Sequence, residues 1–205
     1  MAKLYFRYGA MNSSKTANAL MVKFNYEERH QRVLLMKPSL DVRDGIGLVK
    51  SRAGLTSACL LVEREGSILE VLLRNMGSEP LHCLIVDEAQ FLTKSQVMEL
   101  TRIVDDLKIP VICYGLRADF IGNLFEGSQW LLAFSDTIEE VKTICWCGRK
   151  AIMNARLLDG RIIKEGEQIV LGGNDRYISL CRHHWSTGET GPSCLDEGTA
   201  GSVST

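Results

Sequence analysis

The sequence predicts an α/β fold, a mostly parallel sheet with helices on both faces, followed by a smaller unit of different character. Three observations predict it. Short apolar runs alternate with helical stretches along the first 140 residues. Several runs are continuously apolar, the pattern of strands buried on both faces. The periodicity then changes near Val141, where cysteines, glycines and a hairpin signal take over.

Leu4-Tyr5-Phe6-Arg7-Tyr8 reads as a strand by its aromatic content, and Gly9 to Asn12 break it before a helical stretch from about Ser14 to Glu28. Arg32 to Met36 is a second apolar run, and Ser67 to Arg74 an amphipathic helix. Leu81 to Val86 is a strand, Ser95 to Leu107 a helix, and Pro110 opens a strand through Tyr114. Leu131 to Phe134 is expected to supply one more strand. Right-handed crossovers place the loops after the strand carboxyl ends along one edge, where open α/β sheets bind ligands. Beyond Val141, Cys145-Trp146-Cys147-Gly148, a turn at Asp159-Gly160 and Leu171-Gly172-Gly173 before Cys181 mark the second unit. From Ser186 the chain is polar, with too little apolar surface to offset its ordering entropy. The expected organisation is 1–140 for the α/β domain, 141–185 for the small unit and 186–205 for a disordered tail.

The 24 basic and 25 acidic side chains nearly cancel, so no global positive field exists to hold a phosphate polymer, and nucleic acid is not an expected partner. No apolar run approaches the roughly 20 residues that span a bilayer. Seven cysteines, an odd number, and no secretory pattern at the start predict a cytoplasmic protein with reduced thiols.

Gly9-Ala10-Met11-Asn12-Ser13-Ser14-Lys15-Thr16 fits the phosphate-loop pattern at every fixed position but one, with Ser14 where the second glycine is expected. In such a loop the backbone N–H groups cradle phosphate oxygens, Lys15 places its charge at the β/γ bridge and the Thr16 hydroxyl ligates Mg²⁺. A strand before and a helix after supply the context, giving a P-loop NTPase-like domain. A Cβ at Ser14 predicts a backbone that avoids positive φ there. Asp87 and Glu88, followed by Ala89 and Gln90, come directly after an apolar strand, the second nucleotide-site signature of phosphate-loop proteins. Asp87 suits Mg²⁺, and Glu88 suits the proton of an attacking hydroxyl or water.

Cys145 and Cys147 flank Trp146, and Cys181 and His184 follow at C-x-x-H spacing, which is the ligand count of tetrahedral Zn²⁺. His183 is the rival ligand. A closed site of this kind is structural: it pins the ends of a hairpin too small to hold itself.

These motifs, with Asp41-Val42-Arg43, Ser51-Arg52-Ala53-Gly54 and Tyr114-Gly115-Leu116-Arg117-Ala118-Asp119-Phe120, closely resemble the type II thymidine kinases from about Leu4 to Trp185. The C-x-C pair resembles a subset of that family. The resemblance implies transfer of the γ-phosphate of ATP to the 5′-hydroxyl of thymidine, with Glu88 as general base and Mg²⁺, Lys15 and either Arg52 or Arg43 stabilising the transferred group. It further implies a zinc-tethered lasso domain whose backbone at Leu171, Gly172 and Gly173, with Tyr177, reads the thymine edge. Phe91, Leu116 and Phe120 are expected to line the nucleoside pocket. A homotetramer restrained by thymidine triphosphate is inherited from the same resemblance. Two other readings remain: a nucleotide hydrolase in which Glu88 activates water, and a zinc-ribbon adaptor on a degenerate loop fold.

Overall fold

The computed structural model describes residues 1–41, 45–168 and 176–192. Along the chain run β1 (Leu4–Tyr8), α1 (Lys15–Glu27), β2 (Val33–Pro38), β3 (Leu48–Lys50), β4 (Thr56–Ala58) and β5 (Leu60–Val62). Then come α2 (Ile68–Met76), β6 (Cys83–Val86), a 3₁₀ turn (Ala89–Phe91), α3 (Lys94–Asp105), β7 (Val111–Gly115) and α4 (Glu126–Phe134). The remainder is β8 (Thr137–Glu140), β9 (Thr143–Ile144), β10 (Lys150–Ala151), β11 (Met153–Leu158), β12 (Arg161–Ile163), β13 (Arg176–Leu180) and α5 (Arg182–Thr187).

Six strands form one sheet in the order β5-β2-β6-β7-β1-β8, and every neighbouring pair is parallel. All of its strands therefore end on one edge, which carries the loops after β1, β6 and β7 side by side. The central strands are continuously apolar because each face has its own cover. Leu84 and Val86 of β6 join Leu4, Phe6, Val111 and Cys113 beneath α2, α3 and α4. Cys83 and Ile85 point the other way, joining Leu35, Ile112 and Tyr114 under Ala19 and Leu20 of α1. The period-2 alternation of a strand thus feeds two cores from one apolar run.

Helix ends carry local signals. Thr93 accepts from the N–H of Gln96 while Gln96 bonds back to the Thr93 N–H, a capping box that starts α3. Ser67 caps α2 by accepting from Glu70 N–H.

The expectation of a strand at Leu131 to Phe134 is corrected: that stretch ends α4. Its buried positions, Gly127, Ser128 and Leu131, recur at helical and not at strand spacing. Gly127 allows the close approach, since a Cβ there would lie 2.4 Å from the Ala89 carbonyl oxygen and 2.9 Å from that of Gln90. The remaining strand is β8, parallel to β1 in register Tyr5↔Thr137 to Tyr8↔Glu140. As an edge strand it is half exposed and has no apolar run to announce it.

After β8 the chain builds the small unit from the β9–β10 hairpin and a three-stranded sheet in the order β12-β11-β13. Asp159 and Gly160 turn β11 into β12 with φ of 49° and 75°, the two positive values that a tight hairpin of this hand requires. Its core is small, comprising Cys145, Ala151, Ala155, Leu180 and Cys181 with Ile162, Ile178 and Trp185 packed against them. The expected tail boundary at Ser186 is also corrected for the described residues. α5 continues to Thr187, Gly188 closes it at φ 82° with its N–H on the His184 carbonyl, and Gly191 lies against the Trp146 ring. Contacts with Trp146 and His184 hold this short polar stretch, a tertiary cause that composition does not register. Residues 193–205 lie outside the described residues.

Candidate active site and metal centre

The loop between β1 and α1 wraps a cleft of about 260 Å³ lined by Met11 to Ala17, Lys50 to Ala53, Glu88 and Leu116. Gly9 is required at its start: a Cβ would stand 2.4 Å from Ser13 Oγ and 2.5 Å from the Val141 carbonyl. Ala10 is buried, and its carbonyl accepts from Lys15 Nζ at 2.8 Å, while Ser13 Oγ lies 3.2 Å from the same ammonium. Lys15 therefore curls back over the loop, where phosphate oxygens would compete for its protons. Ser14 overturns the expectation of a negative φ: it takes φ 59° and ψ 26°, and Asn12 takes φ 61°. The reversal from strand to helix within so few residues imposes left-handed backbone whichever side chain is present. Ser14 makes no side-chain capping bond, and the first turn of α1 has no acidic residue. The helix N-terminus is thus left with donors and a positive dipole end for an anion.

Across the cleft, β6 delivers the acidic pair. Asp87 is 3% exposed. Its N–H donates to the Met36 carbonyl at 2.9 Å, and its side chain bonds Thr16. Burial first, and then the neighbouring Glu88, push its carboxyl up to about 7. A buried carboxylate beside a threonine hydroxyl is the oxygen donor set a hard cation takes, and a cation there would draw the carboxyl back to its anion. Glu88 turns out of the strand at φ 51° and reaches the cleft wall.

Ala89 and Gln90 stand behind the cleft, at 0% and 1% exposed. Gln90 Nε2 donates to Glu88 Oε2 at 2.5 Å, and its Oε1 accepts from Leu116 N–H at 3.0 Å. One buried amide therefore ties the Glu88 carboxylate to the loop after β7. Leu116 lines the cleft. Phe91 packs edge-on against Phe125 with centroids 5.8 Å apart, and Phe120 is buried beneath the Arg156 guanidinium. Asp119 holds the turn that follows, accepting from Ile121, Gly122 and Asn123 N–H through one oxygen. Arg52 lines the cleft as expected, and so does Lys50. Lys50 lies in a short hairpin strand outside any motif and was missed by sequence reasoning. Tyr177 sits on β13 opposite Arg156. Arg43, Leu171, Gly172 and Gly173 lie outside the described residues.

Cys145, Cys147, Cys181 and His184 bring their ligand atoms within 4.8 Å of one another. Cys145 Sγ is 3.4 Å from His184 Nδ1, and Cys147 Sγ is 4.0 Å from Cys181 Sγ. A tetrahedron with Zn–S of about 2.3 Å and Zn–N of about 2.0 Å has edges of roughly 3.5–3.8 Å, so the set has the donors zinc takes and a spacing that a small inward shift of the side chains would close to a tetrahedron. The Cys145–Gly148 turn, closed by the Gly148 N–H on the Cys145 carbonyl at 2.8 Å, aims the first two sulfurs inward despite their short spacing. Hydrogen bonds from the His184 and then the His183 N–H at the start of α5 are among the causes that lower the Cys181 thiol, which favours the thiolate a metal requires. His184 is the histidine of the cluster, and His183 is not. Trp146 stacks on the His184 ring at 4.2 Å, and Glu189 lies 3.7 Å from its Nε2.

The family model described as thymidine kinase matches residues 2–185. A thymidine kinase of Mannheimia succiniciproducens is 52% identical over 186 residues, covering 90% of this chain and 95% of that protein. One from Pasteurella multocida is 50% identical with coverage of 90% and 97%, and one from Salmonella typhimurium 51% identical with coverage of 90% and 91%.

Proposed function

The chain belongs to the thymidine kinase family, and from that premise we propose how its own residues carry the reaction. It is an ATP-dependent kinase acting on thymidine. The observation that carries the residue assignment is that Lys15, Thr16 and Glu88 line one cleft, with buried Asp87 bonded to Thr16 and Glu88 held by Gln90.

The loop amides and the N-terminus of α1 hold the triphosphate of ATP, and Lys15 neutralises charge between its β- and γ-phosphates. Thr16 and Asp87 would hold Mg²⁺, which would supply further charge neutralisation to the triphosphate. Glu88 accepts the proton of the 5′-hydroxyl as that oxygen bonds to the γ-phosphorus and the bond to ADP breaks, giving thymidine monophosphate and ADP. Arg52, which lines the same cleft, stabilises the transferred group. The left-handed backbone at Glu88 and the Gln90 bond fix the carboxylate's direction before substrate arrives, which is positioning prepared during folding. Phe91, Leu116, Phe120, Tyr177 and the backbone of 171–173 receive the thymine. Zinc at Cys145, Cys147, Cys181 and His184 is structural, because four protein ligands leave no open position for chemistry. Assembly as a homotetramer, restraint by thymidine triphosphate and a cytoplasmic location complete the proposal on family likeness. No helix among the described residues is long and apolar enough to cross a membrane.

The test is ADP release from ATP and Mg²⁺ with thymidine, with deoxycytidine and with no nucleoside. ADP formed with thymidine alone, alongside thymidine monophosphate, is the expected result. Equal ADP without nucleoside would make the chain a hydrolase and remove the acceptor assignment.

A further inference from the structure

The small unit grips the phosphate loop through three side chains that the reaction scheme leaves unused. Asn154 of β11 is 5% exposed. Its Oδ1 accepts from Met11 N–H at 2.8 Å, and its Nδ2 donates to the Ala118 carbonyl at 2.8 Å. Ser179, its cross-strand partner on β13, donates its hydroxyl to the Met11 carbonyl. One facing pair of residues thus holds both polar groups of Met11. Thr143 of β9 donates to the Asn12 carbonyl at 3.3 Å. Asn12 is the residue at φ 61°, a backbone state that persists only where the surroundings fix it.

Two of the strands involved run into the cysteine–histidine cluster, and β11, which carries Asn154, pairs with one of them. β9 ends at Ile144, one residue before Cys145, and β13 ends at Leu180, one residue before Cys181. A continuous chain of backbone and hydrogen bonds therefore joins the cysteine–histidine centre to the first half of the loop. We infer that Asn154, Ser179 and Thr143 are positioning residues for the phosphate loop, and that they couple the integrity of the metal centre to the affinity for the donor nucleotide. On this inference zinc loss weakens the ATP site as well as nucleoside binding. It rests on the reading of the loop as the donor site.

The test is calorimetric titration of the zinc-loaded protein with ADP and Mg²⁺, beside the KM for thymidine, in Asn154→Leu, Ser179→Ala and Thr143→Val. Losing both amide bonds should raise the ADP Kd about tenfold in Asn154→Leu, and losing one hydroxyl about threefold in either of the others, with thymidine KM within about twofold of wild type in Ser179→Ala and Thr143→Val. Chelating zinc should raise the ADP Kd of wild type, and by a smaller factor in the Asn154→Leu/Ser179→Ala double variant, whose links are already cut. Ser179→Ala and Thr143→Val each delete a single hydrogen bond at nearly constant volume, so they carry the test if Asn154→Leu fails to fold. Variants that bind ADP like wild type, or a chelation factor equal in wild type and double variant, overturn the inference. A wild type that binds no ADP would instead overturn the donor-site reading itself.

Discussion

Asp87→Asn should stabilise the magnesium-free protein while abolishing its activity. The side chain is 3% exposed and its carboxyl is pushed from the ordinary 3.8 up to about 7 by burial and by Glu88. That interval corresponds to about 4 kcal/mol of penalty for the buried anion. The sign follows from linkage: the fold holds the proton more tightly than the unfolded chain, so this group's contribution is fully present below about 3.8 and is lost as pH rises to about 7. Asparagine keeps the shape and accepts from Thr16 without carrying charge, so it escapes the loss. At about 2–4 °C per kcal/mol for a chain of this size, the variant should melt on the order of 10 °C above wild type at pH 8. At pH 5 wild type has recovered its proton and the gap should shrink to less than half. The assay is thermal unfolding at both pH values in buffer freed of Mg²⁺ by dialysis, with no chelator, so that zinc stays in place. An equal gap at the two values, or a variant that melts below wild type at pH 8, would refute the reasoning. Turnover should fall by at least about 10²-fold, because an amide does not replace the carboxylate at Mg²⁺.

Glu88→Gln keeps a partner for Gln90 but removes the base, so kcat should drop by roughly 10²-fold or more while the Kd for an ATP analogue stays within about twofold. Near-normal turnover would take Glu88 out of that role. Ser14→Gly relieves a left-handed residue that costs about 1–2 kcal/mol, against about 0.5–1 kcal/mol of added chain entropy. Its melting temperature should therefore rise by about 2–4 °C with the KM for ATP unchanged or lower. A fall in melting temperature, or a raised KM, would mean that the Ser14 hydroxyl contributes to the loop.

Much of the fold was legible because its signals are local. β1 runs from Leu4 to Tyr8 as read, and the apolar run ending at Val86 is strong because that strand is covered on both faces. The misreadings fell where contacts decide. Leu131 to Phe134 is apolar enough for a strand and becomes the end of a helix because Gly127 lets it approach the carbonyls around Gln90. Ser14 goes left-handed because the turn between β1 and α1 demands it, whatever its own preference.

The sequence by itself determined the family: the spacing of Gly9 to Thr16, the acids after an apolar strand and the cysteine–histidine cluster all lie in short motifs, where composition and order carry the geometry. Only the tertiary structure decided how these parts are held. Gln90 bridging Glu88 to Leu116 and Asn154 with Ser179 gripping Met11 join residues from 26 to 168 positions apart, and Lys50 is brought to the cleft from outside any motif. Such pairs form where separate strands end side by side, and no local periodicity records which strand will be the neighbour.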